Sequence, residues 1–380
     1  MTRKSGNSRP VRQSKAKEPV PKKGREPGKA PTSYDVARLA GVSQSAVSRA
    51  FSNNGYVSPA ARKKIAAAAK TLGFRPNALA RGLITRRSRL IAVVVADLYY
   101  SFYVAILHQL NGALRASGFQ ALLFSIPSGQ DIDDMMPEVL AYQVDGVIMN
   151  SVRLSSRAPA LCREAGVPVV TMNRIVDDPD VSAVATDNRA AGRLVGRFLQ
   201  AAGHRRFAFV GGLADTSTSR DRQAGFRKGL GRAPLVEMGG FTYDGGHRAA
   251  LALMRRADPP DAIFCASDIM AMGAMDALRF ELGLTPGKDV SVVGFNNAAE
   301  TAWRTYDLTS VTASAEELSH RAVEILAAMI DDPAAGPRRE LLPGRLVLRS
   351  SARIPKDWPV DRPAQRPGSP EEKTADAKEM

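Results

Sequence analysis

Val36-Ala37-Arg38-Leu39-Ala40-Gly41-Val42-Ser43-Gln44-Ser45-Ala46-Val47-Ser48-Arg49-Ala50-Phe51 reads as two short helical patterns on either side of a glycine-containing break. Ser33 stands before the first pattern as an N-cap candidate, because a short hydroxyl can satisfy a free amide of the opening turn. Val47 and Phe51 place one apolar face on the second helix. Two helices joined by such a turn make a helix-turn-helix, whose second helix enters the major groove of DNA. That helix opens with Gln44, Ser45 and Ala46 and carries Arg49. Gln can read adenine and Arg can read guanine, each through paired hydrogen bonds. Ser43 and Ser48 suit phosphate oxygens, which fix register rather than sequence.

Charge supports a polyanion partner for this end. Residues 1–90 hold 21 lysines and arginines against three acids, a net of +18. The rest of the 380-residue chain holds 32 basic and 35 acidic residues, a net of −3. An excess confined to one end points to nucleic acid.

Residues 1–31 are basic and proline-interrupted and are expected to be disordered, as is the polar stretch 355–380. Between them, residues 32–76 are all helical. Ser58-Pro59 opens a third helix that Gly73 ends. Residues 77–89 form a linker. From 90 to 354, short apolar runs such as Ile91–Ala96, Val167–Thr171 and Val290–Gly294 alternate with amphipathic patterns such as Ala190–Ala202 and Ser219–Leu230. That alternation predicts an α/β fold with parallel sheets, helices on both faces and room for two lobes.

Several classes are set aside. No run of eighteen apolar residues predicts a membrane span, and no apolar stretch follows the basic N-terminus, so a cytoplasmic, nucleoid-associated protein is expected. Two cysteines make no disulfide framework, and four scattered histidines show no metal-ligand spacing. The glycine-rich nucleotide motifs and the G-x-S-x-G elbow are absent, so neither an enzyme nor a cofactor is expected. Gly211-Gly212 after a strand is a weak hint of phosphate binding.

Tyr34-Asp35-Val36-Ala37, Ala40-Gly41-Val42-Ser43, Val47-Ser48-Arg49, Gly55-Tyr56-Val57-Ser58 and Leu72-Gly73-Phe74-Arg75-Pro76-Asn77-Ala78-Leu79-Ala80-Arg81-Gly82-Leu83 resemble the head of the LacI/GalR family over some fifty residues. The body resembles the same family and, through it, the periplasmic sugar-binding proteins, most clearly at Gly203–Gly212, Arg222–Phe226, Ser267–Gly273 and Val290–Phe295. The resemblance implies a small all-α head followed by two Rossmann-like lobes closing on a ligand. The N-lobe is expected over 90–203 plus 314–337, and the C-lobe over 204–313 plus 338–354. It implies base reading by Gln44, Ser45 and Arg49. It also implies a hinge helix from Asn77, whose Leu83 wedges into the minor groove at the centre of the site.

In the cleft, the resemblance makes Arg222 the gripper of ligand oxygens and Phe241 the stacking aromatic. Asn150 and Asp187 are expected to point into the same cleft, and Asp97, Tyr100 and Phe102 follow the first strand on that side. Two departures bear on the ligand. Asn296 stands where many members carry an aspartate, and Ser267 replaces an amide, so a plain neutral sugar is in question and a sugar acid is favoured alongside it. The expected protein is a transcriptional regulator, by family default a repressor. It binds an inverted-repeat double-stranded operator as a homodimer and answers to a sugar or sugar acid. The alternative is a body that answers to a protein partner or a non-sugar ligand. Some members tetramerise through a C-terminal leucine heptad; after Ile354 this chain has no leucine, so a dimer is expected.

Overall fold

The computed structural model describes residues 30–51, 56–75, 87–96, 100–126, 131–150, 153 and 156–359. The chain divides into a head and a body, which are two separate units.

In the head, α1 spans Ser33–Ala40, α2 Gln44–Ala50 and α3 Pro59–Leu72. The N-cap of α1 is Thr32, one residue before the expected Ser33. Thr32 forms a capping box with Asp35: its backbone amide donates to the Asp35 carboxylate at 3.0 Å, and its hydroxyl accepts from the Asp35 amide at 3.4 Å. A serine at 33 has no acid three residues on, which is why the helix starts earlier. Gly41 and Gly73 end α1 and α3 at φ of 67° and 65°, the left-handed region that glycine enters without strain. Val36, Val47, Ile65, Ala68 and Ala69 form the small core, and Phe51 packs on Phe74 at 5.8 Å.

The body contains two six-stranded sheets. The first comprises β1 (Leu90–Ala96), β2 (Gln120–Ile126), β3 (Gly146–Asn150), β4 (Val169–Met172), β5 (Ser182–Thr186) and β11 (Arg339–Leu342). Its order is β11-β5-β4-β3-β1-β2, and every pairing is parallel. The second comprises β6 (Phe207–Gly211), β7 (Leu235–Met238), β8 (Ala262–Cys265), β9 (Ser291–Asn296), β10 (Thr309–Thr312) and β12 (Arg345–Val347), in the order β12-β10-β9-β8-β6-β7. Only β12 runs antiparallel, against β10. β3, β4, β6 and β8 are buried along their whole length, as parallel strands covered on both faces must be. The covering helices are α4 (Ser101–Ala116), α5 (Ile132–Ala141), α6 (Ala158–Glu164), α7 (Asn188–Ala201), α8 (Ser217–Leu230), α9 (Tyr243–Met254), α10 (Asp268–Asp276) and α11 (Ala315–Asp331). A π-helical turn at Ala277–Glu281 continues α10.

The lobe boundaries differ from the expected ones at three places. β11 pairs with β5, so residues 339–342 belong to the N-lobe rather than the C-lobe. α7 belongs with the C-lobe, because it lies against α8 along Gly192, Gly196, Gly225 and Gly229. The chain therefore crosses at Asp187, again between Thr312 and Ala315, and a third time between Leu342 and Arg345. Those crossings lie side by side: a Cβ on Gly344 would meet Val311, Ala191 and Thr186 within 3.3 Å. Residues 355–359 also extend the C-lobe, where Trp358 packs edge-on to Phe198 at 5.1 Å. The stretch 355–380 expected to be disordered thus begins with five ordered residues, and the rest of it lies outside the described residues.

The α7–α8 contact fixes the sign of a mutation. By helix propensity alone, Gly225→Ala should stabilise by roughly 0.5–1 kcal/mol. Yet a Cβ there would sit 2.1 Å from the Arg189 carbonyl oxygen, which is backbone and cannot turn aside. We expect Gly225→Ala to destabilise the body by about 1–3 kcal/mol, measured as a lower melting temperature. An unchanged or raised value would refute the close contact.

Candidate functional site

In the head, Ser45, Ser48 and Arg49 are exposed on α2, while Gln44 and Ala46 are half-buried. Gln44 donates from Nε2 to the Ser33 hydroxyl at 3.3 Å. Ser43 is the N-cap of α2, accepting from the Ala46 amide at 3.2 Å and sharing a hydrogen bond with Ser45 at 3.0 Å. Its hydroxyl thus builds the helix start as well as facing outward. Tyr34 is 71% exposed on α1, a large ring on a small polar surface that the sequence reading did not single out. Asn77 and Leu83 lie outside the described residues, as does Asp97.

In the body, a cavity of about 210 Å³ lies between the lobes at the carboxyl ends of the strands. Open α/β sheets place ligands there, because loops and helix N-termini converge there. Tyr100 and Phe102 reach it from the start of α4, and Asn173 and Arg174 from the end of β4. From the C-lobe come Thr218 and Arg222 on α8, Phe241 in the loop before α9, Ser267 and Asp268 at the start of α10, and Asn296 at the end of β9. The first turns of α4, α8 and α10 thus border the cavity, and their free amides and dipoles favour ligand oxygens.

Six sequence-nominated residues meet at this cavity: Tyr100, Phe102, Arg222, Phe241, Ser267 and Asn296. Two others do not line it. Asn150 is fully buried as the last residue of β3. Asp187 caps α7, accepting from the Ala190 amide at 2.8 Å, and its own amide donates to the Leu342 carbonyl at 2.7 Å. Neither is among the residues that line the cavity. Asn173, Arg174, Thr218, Asp268 and Glu300 line the cavity and were not nominated. For Asn173 and Arg174 the signal was available, since both directly follow a strand recognisable in the sequence.

Arg222 is fully buried. Its Nε–H donates to Asn188 Oδ1 at 2.7 Å, its Nη1 donates to the Ala266 carbonyl, and its Cζ lies 3.4 Å from the Phe295 ring centroid. Burial pushes its pKa down to about 9, so it stays a cation at neutral pH. Phe241 adopts φ 61°, and Gly212 has no Cβ because its ring occupies that space at 2.1 Å. The Gly211-Gly212 pair therefore makes room for side chains rather than a phosphate cradle. Buried oxygens of Asn173, Thr218, Ser267 and Asn296 have no hydrogen-bond partner among the described residues. Buried polar atoms are normally paired, so four around one cavity suit a ligand rich in hydroxyls. Contacts also join the lobes: Ile175 N–H donates to Ser217 Oγ at 2.9 Å, Arg220 pairs with Asp177 at 3.0 Å, and Ser101 bonds Glu300.

Asp268 accepts from Ser310 Oγ at 2.6 Å and from the Ala298 amide at 2.8 Å. Burial nevertheless pushes its pKa up to about 6, because desolvating the carboxylate outweighs those two bonds. The folded state then holds a proton that the unfolded state has released, so the stability this group contributes falls as pH rises from about 4 to 6. In Asp268→Asn the amide can still accept from Ala298 and donate to Ser310. We expect the wild-type-minus-mutant difference in melting temperature to decline over that pH range and to level off above it. A pH-independent difference would contradict the shift.

Among the described residues no helix is long and apolar enough to cross a membrane, and no cluster of His, Cys, Asp and Glu could hold a metal. Head and cavity together define a class, a DNA-reading module joined to a ligand-cleft body. Comparison with known proteins agrees. Residues 32–77 match the lacI family of bacterial regulatory proteins, and residues 196–352 match the periplasmic binding protein-like domain. The HTH-type transcriptional regulator CelR of Thermobifida fusca is 35% identical over 84% of this chain and 98% of its own. A solved complex of transcriptional regulator CelR with cellobiose superposes at TM-score 0.66, with 33% identity over 85% of this chain and 100% of that one. The lac repressor dimer bound to operator and the anti-inducer ONPF superposes at 0.78, with 27% identity over 85% and 99% of the two chains. The chain belongs to the LacI family and is a DNA-binding transcriptional regulator.

Proposed function

We propose that this regulator is a cytoplasmic repressor that binds an inverted-repeat operator as a homodimer and is controlled by a sugar or sugar acid in the interlobe cavity. The observation that carries the reading is Arg222, a buried cation facing a cavity ringed by unpaired side-chain oxygens. Hydroxyl-rich ligands meet both features, since their oxygens accept from the guanidinium and their hydroxyls donate to the orphaned acceptors. The lining also carries Arg174, Asp268 and Glu300, so its formal charges balance. That balance keeps a neutral sugar in play beside an acid. CelR bound to cellobiose, in the relative named above, supports the carbohydrate class. The lac repressor dimer on its operator supports the assembly. Phe280 and Trp303 stand exposed on the C-lobe, aromatic surface of the kind a second copy covers.

Effector binding can alter DNA affinity only through a difference between two states. Lobe closure is one such element, and the hinge from Asn77 to Leu83 is the other. By the family resemblance, the hinge expected over Asn77–Leu83 is the element that would pass such a difference to the DNA. The test pairs a thermal-shift screen of sugars and sugar acids with operator titration at one fixed salt concentration. A ligand at 100 times its Kd should add about 2.7 kcal/mol of stability. Arg222→Ala should lose that shift and the effector's influence on DNA, with operator affinity kept. Arg49→Ala should weaken operator binding by about 1–3 kcal/mol and relax one position in each half-site. A wild-type protein indifferent to operator sequence, or an Arg222→Ala protein that still answers the effector, would overturn the proposal.

A further inference from the structure

The groups holding Arg222 are all neutral: the Asn188 carboxamide, the Ala266 carbonyl and the Phe295 ring. Among the described residues no carboxylate lies within ion-pair distance of it. Asp268 is the acid whose field reaches it, and its hydrogen bonds go to Ser310 and Ala298 instead. Buried charges are normally paired, because leaving water costs an ion several kcal/mol. A cation held this way in a cavity wall is kept for something that arrives from outside.

Asn188 is the first residue of α7, directly after the Asp187 crossing, and it is itself buried. The same helix grips Arg222 twice. Asn188 takes the Nε–H, and one turn on, Gly192 lies against the Arg222 backbone, where a Cβ would come within 2.3 Å of the carbonyl oxygen. The residue type at 188 matters. An apolar side chain would leave Nε–H buried and unpaired, whereas an aspartate would form an ion pair and neutralise the guanidinium.

We propose that Asn188 is a positioning residue of the cavity: its neutral carboxamide fixes the Arg222 fork while leaving the charge for the ligand's oxygen to meet. This rests on the cavity being the effector site. It also ties the grip on the ligand to the first lobe crossing, since the residue that orients Arg222 adjoins the one that bonds Leu342 across the third crossing.

The test uses the full chain in two arms. The first is a double-mutant cycle on thermal unfolding without ligand, using Asn188→Leu and Arg222→Met. Asn188→Leu should lower the melting temperature by roughly 3 °C or more in the wild-type background and by less than about 1 °C beside Arg222→Met. Equal losses in the two backgrounds would overturn the pairing. The second arm titrates cellobiose, cellobionate, glucose and gluconate into wild type and Asn188→Asp. Asn188→Asp should keep the wild-type melting temperature yet bind each compound that wild type binds about tenfold or more weaker, the acids losing more than the neutral sugars. A merely structural asparagine would not produce that split. Asn188→Asp protein that binds like wild type would overturn the specificity role. If wild type binds none of the panel, the carbohydrate reading and this ligand role fall together, and the first arm still decides the pairing.

Discussion

Burying a guanidinium requires two helices close enough to surround it, and the approach of α7 to α8 is the constraint on which the cavity depends. Four glycines at helical spacing, Gly192 and Gly196 on one helix and Gly225 and Gly229 on the other, let backbone meet backbone. Ordinary side chains would hold such helices about 8–10 Å apart. The contact carries α7 into the C-lobe, sets the first crossing at Asp187, and brings Asn188 within 2.7 Å of Arg222. Phe295 and Ala266 complete the cradle from the sheet side. The wall of the cavity is thus built from the protein's own contacts alone.

The lobes meet through small polar contacts instead of a continuous apolar seam. Ser101–Glu300, Ile175–Ser217 and Asp177–Arg220 are exposed or half-buried pairs of modest strength. Arg174 lies over Phe241 at 4.9 Å, joining the lobes through a cation and a ring that both border the cavity. Such contacts suit an equilibrium between open and closed lobes, since none is strong enough to lock either state. A ligand touching both walls adds differential binding to that balance, which is all that population shift requires.

The head was legible because its signals are local. Gly41, Gly73 and Ser58-Pro59 act within four residues of where they stand, and the structure places them as caps; Ser43, expected only as a phosphate contact, is a cap too. Thr32 displaced Ser33 through a partner three residues away, which is still a local rule. The longer apolar runs of the body were equally plain. β5, β7, β10, β11 and β12 were not: polar residues interrupt them, as in Ser182-Ala183-Val184-Ala185-Thr186 and Thr309-Ser310-Val311-Thr312, and edge strands such as β11 are half-exposed. The lobe boundary was misplaced at Gly203 for a different reason. Nothing in Asn188–Ala201 says which sheet it covers; that is decided by the glycines of α8, thirty residues on. At the cavity, the family resemblance singled out Arg222 and Phe241. Asn173, Thr218 and Asp268 become site residues only through strand ends and helix starts that the fold brings together.

Three crossings also govern how the body can come into being. The N-lobe sheet is completed by β11 and covered by α11, both encoded after the whole central part of the C-lobe. The C-lobe is then closed by β12 and by Trp358 on Phe198. Neither lobe is a contiguous stretch of chain, so neither can finish while the polypeptide is still emerging. Some hundred and fifty residues separate β5 from its partner β11, and closing loops of that length slows folding. During synthesis β5 waits as an open edge, exposed to pairing with another chain. The interlobe cavity is therefore complete only once residues beyond 345 have been added, so a chain cut short before them would lack its ligand pocket even with both sheets mostly made.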